Sequence, residues 1–263
     1  MSTLQNMSTL QKVTLVEGKL FLREPMSVIF GVFFPTALLL GLGAIPALRE
    51  PSEEFDGARF VEVWAPTALV LGIGILGLQH IPNVVSSYRE NRILRRISTT
   101  PVHPATLLVA QLIVALAAAV AAAVLLIVAA WLVLDVPLPQ EPLWFTVAFL
   151  VGFAAVLAIG MLIAAVAPNT RLANGLAMVA YMVAMFAGGV FLPRFLLPDA
   201  LVRIGDYTPP GVQALLDAWS GDEAVASAVG VSSAGPPELL QLGIMALIAV
   251  VAGWAAARLF RWE

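Results

Sequence analysis

Apolar stretches of twenty or more residues alternate along this chain with short polar or proline-bearing separators. Crossing the hydrocarbon of a bilayer takes about 20 apolar residues in a helix, because every backbone amide and carbonyl must be bonded within its own segment. Six stretches reach that length, at 26–48, 64–86, 105–134, 143–167, 173–192 and 239–257. The pattern predicts an all-α membrane protein of six transmembrane helices, with a cytoplasmic N-terminal part at 1–25 and a transmembrane domain at 26–263.

Three pieces do not span. Over 9–25, Leu10, Val13, Val16 and Leu20 recur at helical spacing opposite Lys12, Lys19 and Arg23. That spacing predicts an amphipathic helix, either lying in the membrane interface or merely solvated, and broken at Pro25. The cytoplasmic separator 87–104, SYRENRILRRISTTPVHP, carries four arginines and one glutamate. The 193–238 segment is long for a simple connection and holds apolar runs at Phe195–Leu197 and Val212–Trp219, which predict short re-entrant helices dipping into the outer leaflet.

Composition agrees with the pattern: 60% of the residues are hydrophobic and 12% charged, against about 45–50% and about 25% in soluble domains. Charge placement sets the orientation under the positive-inside rule. With 1–25 inside, ten of the 14 basic residues are cytoplasmic, and only Arg49, Arg59, Arg194 and Arg203 lie outside. Four of the 17 acidic residues, Glu17, Glu24, Glu90 and Glu263, share the inner side, so the two faces carry +6 and −9. Both termini are therefore expected in the cytoplasm and the chain in the inner (plasma) membrane. The first apolar run starts near Met26 and is longer than the h-region of a signal peptide, so it is expected to be retained. The repeated MSTLQ at Met1 and Met7 is assigned no function.

Candidate chemistry is sparse. Cysteine is absent, which removes disulfides, thiolate metal sites and a cysteine nucleophile. With only His80 and His103, a histidine zinc site is disfavoured. The spans hold essentially no ionisable residues, and their polar candidates are Gln79, His80, Asn83, Gln111 and Asn174. His80 reads either as a proton relay or as a hydrogen-bonded packing residue. Gly188, Gly189 and the alanine-rich Ala115–Ala123 read as close-packing positions. No GxxxxGK[ST] phosphate loop occurs, so ATP and its Mg are expected on a partner rather than on this chain, which is expected not to be an enzyme and to hold no metal or cofactor itself.

Together these features resemble the membrane subunit of ABC-2 type exporters, the daunorubicin-resistance-like permeases, over nearly the whole chain. Glu17, Lys19, Arg23 and Pro25 are similar to the end of that family's connecting helix. Tyr88, Arg89, Glu90, Asn91, Arg92 and Leu94, followed by Thr100 and Pro101, resemble its cytoplasmic RExx...L...TP segment, although Asn91 and Ile93 replace more usual charged and small residues and a common glycine is missing. Gly188–Pro198, then Tyr207, Thr208, Pro209 and Pro210, are similar to its fifth-span exit and re-entrant region. The resemblance implies a complex of two cytosolic ABC ATPase subunits with two permeases, a second copy or a paralogue of this chain. It also implies a central path lined by helices two and five, and a coupling element at 88–101 that touches the ATPase.

The expected activity is ATP-driven export of a drug or lipid-like amphiphile, as in multidrug efflux, with membrane lipid as a further partner and no nucleic acid. Arg89, Glu90, Asn91, Arg92 and Pro101 are the candidate ATPase-coupling residues; they equally fit simple anchoring at anionic headgroups. Met178, Tyr181, Met182, Met185 and Phe186 are the candidate path lining, and equally fit ordinary packing. A non-transporting assembly factor and a membrane enzyme acting on lipids are the other classes; the absence of a catalytic cluster argues against the enzyme.

Overall fold

A computed structural model describes residues 8–52, 57–97, 103–191, 197–220 and 239–260. The chain is all helical: among the described residues there is no strand, only an isolated antiparallel bridge between Pro51 and Arg59. The helices are α1 (Thr9–Leu22), α2 (Pro25–Gly43), α3 (Phe60–Glu90), α4 (Ile93–Ile97), α5 (Pro104–Leu134), α6 (Pro142–Val166), α7 (Thr170–Ala187), α8 (Asp199–Asp206), α9 (Val212–Ser220) and α10 (Leu239–Leu259). Six of them, α2, α3, α5, α6, α7 and α10, are long and apolar enough to cross a membrane. Pro25, Pro104 and Pro142 each open a span at its first position, where a missing N–H costs nothing.

Helix α3 is the centre of the bundle. Of its most apolar window 83% is buried, against 28–44% for the other five spans, whose remaining surface faces outward. Both α2 and α3 contain a π-helical turn, at Ile29–Phe33 and Ile75–His80, and each turn lies just ahead of a proline, Pro35 or Pro82. A proline ring displaces the carbonyl four residues earlier, and a widened turn absorbs the displacement. The carbonyls of Gly31 and Gly77 in these turns abut Gly72 and Gly160, at sites where a Cβ would overlap them. Glycine thus lets α2 approach α3, and α3 approach α6, backbone to backbone.

Two sequence expectations shift. The second span does not end at 86: α3 runs on to Glu90, so Tyr88, Arg89 and Glu90 sit on a rigid helix rather than in a loop. It stops where the Asn91 side chain donates to the Ser87 carbonyl at 2.9 Å and Arg92 turns left-handed at φ 55°. In α1, opened by a Ser8 capping box, the face toward the bundle carries Val13, Glu17 and Phe21. Val16 and Leu20 of the predicted apolar stripe are exposed, alongside Leu15 and Leu22. The polar Glu17 turns inward because partners await it there.

At the opposite end of the bundle α9 is wedged between α3 and α6, with Val212–Trp219 buried. Its last carbonyls accept from Gln140 N (to Trp219, 3.2 Å) and Glu141 N (to Ala218, 3.1 Å), while the Trp219 indole donates to Pro137 O at 3.1 Å. Arginines close the neighbouring helix ends. Arg49 Nε donates to Gly43 O at 2.5 Å and its Nη2 to Val133 O at 3.3 Å. Arg59 donates to Leu134 O at 3.0 Å and Asp135 O at 2.7 Å, and pairs with Glu62 at 2.6 Å.

The close approach at Gly160 makes a sharp test. Gly160→Leu should destabilise the chain by about 1–3 kcal/mol or prevent folding, because the new side chain meets the Gly77 backbone. Gly175→Ala, in an exposed part of α7 with open space at its Cβ, should be neutral or stabilise by up to about 1 kcal/mol. Thermal unfolding in detergent reads both.

Candidate functional site

Successive side chains on an α-helix leave it about 100° apart, so three in a row can reach three different neighbours. The last turn of α3 does this. The Tyr88 hydroxyl donates to Glu17 Oε2 of α1 at 2.6 Å and accepts from Gln111 Nε2 of α5 at 3.2 Å. Gln111 also donates to Glu17, closing a triangle between three helices. Arg89 turns to α6 and donates to the Ala164 carbonyl at 3.0 Å and to that of Ala167. Glu90 turns to α7, where Oε2 accepts from the Thr170 N–H at 3.1 Å and its hydroxyl at 2.5 Å.

Arg89 and Glu90 therefore straddle the turn joining α6 to α7. The C-terminal carbonyls of α6 carry partial negative charge and receive the cation; the first N–H of α7 carries partial positive charge and receives the anion. Asn169 adds the ordinary N-cap, accepting from Leu172 N at 2.8 Å. Such charge-assisted bonds to helix ends are the strong members of their class. One turn of α3 thus holds α1, α5, α6 and α7 together.

Electrostatics differ across the cluster. Burial pushes the Glu17 carboxyl above its ordinary range, although its bonds to Tyr88 and Gln111 work in the other direction. Close by, His80 Nδ1 lies 2.8 Å from Ser27 Oγ and 3.2 Å from Glu24 Oε2. The bond to His80 holds the Glu24 carboxyl below its ordinary range. Phe21 of α1 meets the His80 ring edge-on at 5.2 Å. His80 is accordingly not a lone polar residue: its acidic neighbour comes from the residue just before the first span.

Of the residues expected to reach an ATPase, Arg89 and Glu90 direct the hydrogen bonds described above into the bundle rather than outward, because they lie on the helix and meet two helix ends. Asn91 is exposed and caps α3, Arg92 is exposed, and Pro101 lies outside the described residues. The expected path lining of α7 straddles a boundary. Tyr181 and Met185 are buried against Gly74 of α3, whereas Met178 and Phe186 are exposed and Met182 is half-buried. Gln111 and Thr170 lie outside the 88–101 segment, and nothing in the sequence pairs Glu17 with Tyr88. Two signals were present: Gln111 interrupts an otherwise apolar α5, and Tyr88 adjoins the Arg-Glu pair.

A protein-family model described as ABC-2 type transporter matches residues 10–210, which contain every member of this cluster. No curated protein and no solved structure gives a match.

The raised pKa of Glu17 predicts a pH effect with a definite sign. Above the ordinary carboxylate value of 4.5, the unfolded chain has released a proton that folded Glu17 still holds, so its contribution to stability falls as pH rises through that window. Glu17→Gln keeps an acceptor without a buried charge. Its melting temperature relative to wild type should be lowest at acid pH and rise as pH increases; a constant difference across the window contradicts the assignment.

Proposed function

The chain belongs to the ABC-2 type transporter family, and from that membership we propose that it is the membrane subunit of an exporter driven by a separate ABC ATPase that binds ATP and Mg. The observation that carries the mechanism is the Tyr88-Arg89-Glu90 turn. A push delivered by the ATPase at the exposed Arg92, just past the end of α3, is passed directly to that helix, because α3 is helical up to Glu90. The same turn is bonded to α1, α5, α6 and α7, so tilting the end of α3 moves four helices together. Arg89 and Glu90 act in this reading as positioning residues and Arg92 as the contact.

The cargo is proposed to be lipophilic or amphiphilic, of the drug or lipid class of daunorubicin-resistance-like exporters, passing between permeases past the outward edge of α7 at Met178, Met182 and Phe186. That edge is apolar and polarisable, as adaptable binding surfaces are. Two permeases, as a second copy or a paralogue, and two ATPases complete the assembly in the plasma membrane. The end bearing α1 and the Arg-Glu turn faces the cytoplasm, which the +6 against −9 division of charge supports.

Single cysteines test the orientation in a chain that has none of its own. Glu50→Cys and Gln140→Cys should react with an impermeant reagent in intact cells, and Asn91→Cys and Asn169→Cys should not; the reverse pattern overturns it.

The coupling reading separates the residues by role. Arg92→Glu should abolish co-purification with the ATPase while leaving the melting temperature unchanged. Arg89→Ala should keep that association but cost about 1.5–3 kcal/mol of stability and reduce transport, as it strips a charged donor from the α6 carbonyls. If both variants assemble and export as wild type does, only headgroup anchoring is left for these charges.

A further inference from the structure

We propose that the open cavity between the start of α2, α3 and α7 is a binding site for an amphiphilic organic cation, its charged head against Glu24 and its apolar body between Phe30 and Tyr181. The proposal rests on the permease reading and names the substrate class. The cavity has a volume of about 420 Å³, within the size range of small-molecule sites. Its wall is divided: Glu24, Ser27 and His80 are joined to one another, Gln79 reaches toward Met178 of α7, and Phe30 and Tyr181 offer aromatic surface.

Charge selects the ligand. Among the described residues Glu24 is the only formally charged side chain on the wall, and its side chain is 40% exposed, so a ligand can reach it. Arg23, next to Glu24 in the chain, is exposed and does not line the cavity, and Arg89 directs its guanidinium to the α6 carbonyls. An anionic head would meet the Glu24 carboxylate with only uncharged donors such as Gln79 and Asn83 beside it, whereas an ammonium gains an ion pair and the ring faces of its aromatic neighbours. The bond to His80 keeps Glu24 anionic at neutral pH.

Two further observations point to a ligand here. His80 is 5% exposed, yet its Nε2 has no hydrogen-bond partner among the described residues, a cost that a purely structural histidine would avoid. Phe30, Ile75, Gln79 and His80 all lie within the π-helical turns of α2 and α3, and π turns concentrate at functional sites. A smaller cavity of about 280 Å³ shares Glu24, His80 and Asn83 and leads toward Tyr88 and Gln111. An occupied site would therefore adjoin the turn on which coupling is proposed to act.

The test is saturable binding of rhodamine 6G, a lipophilic cation, to the purified chain in nanodiscs of zwitterionic lipid, read by fluorescence anisotropy. Glu24→Gln should weaken binding about tenfold, Glu24→Asp should weaken it less because it keeps the charge, and Glu50→Gln should stay within about twofold of wild type. Fluorescein, an anion of similar size, should not saturate. Equal rhodamine affinity in wild type and a folded Glu24→Gln overturns the site. So does saturable fluorescein binding of similar strength. Should Glu24→Gln not fold, Phe30→Ala replaces it, at a half-exposed position: a several-fold loss supports the site and unchanged binding overturns it. The assay uses neither ATP nor ATPase, so its failure leaves the permease reading standing. Intact binding without ATP-driven transport overturns the permease reading instead.

Discussion

Each helix end leaves backbone groups with no partner inside the helix, and near a membrane there is little water to take their place. The bundle answers this constraint with long charged side chains borrowed from neighbouring segments. Arg49 joins the end of α2 to the end of α5, Arg59 joins the start of α3 to the same α5 terminus, and Arg89 and Glu90 join the end of α3 to α6 and α7. Three of these four residues lie on or immediately before α3. The most buried span is thus also the one fastened at both rims, and its glycines let α2 and α6 press against it in between.

This arrangement changes what the charges mean. Arg49 and Arg59 count against the proposed orientation when tallied as loop charges, yet both are committed to helix carbonyls. A cation bound to the negative end of a helix dipole is partly neutralised where it stands. The acidic excess of that rim is then larger in effect than a residue count indicates. On the other rim, most of the work falls to one turn of α3, and the exposed Arg92 and Arg96 lie beyond it.

Hydropathy made the six spans legible because the information is local: each needs about 20 apolar residues and nothing from elsewhere. The amphipathic nature of α1 was legible too, but not which way it faces. That depended on Glu17 meeting Tyr88 and Gln111, which are 71 and 94 residues distant in sequence, and no periodicity reports such a meeting. Arg89 and Glu90 were recognisable as a motif, while their targets were not, since a carbonyl at Ala164 and an amide at Thr170 leave no mark on residue type. The α7 stripe was visible as a helical pattern. Its division into buried Tyr181 and Met185 and exposed Met178 and Phe186 came from the presence of α3 at Gly74.

The two π turns have a consequence for motion. A π turn is an α-helix carrying one surplus residue, and were that surplus to move to an adjacent turn, the helix on either side would stay closed. Every residue it passes changes its angular phase by about 100°, while the helix on either side keeps its register. Migration by even one position in α3 would swing Gln79 or His80 off the cavity wall and present a neighbour instead. The anchored rims need not yield for this to happen, whereas Gly31 and Gly77 lie within the turns, so their contacts with Gly72 and Gly160 would readjust with them. A bundle whose ends are tied can therefore still alternate what it shows in its middle, by moving a defect along a spring rather than by moving the spring.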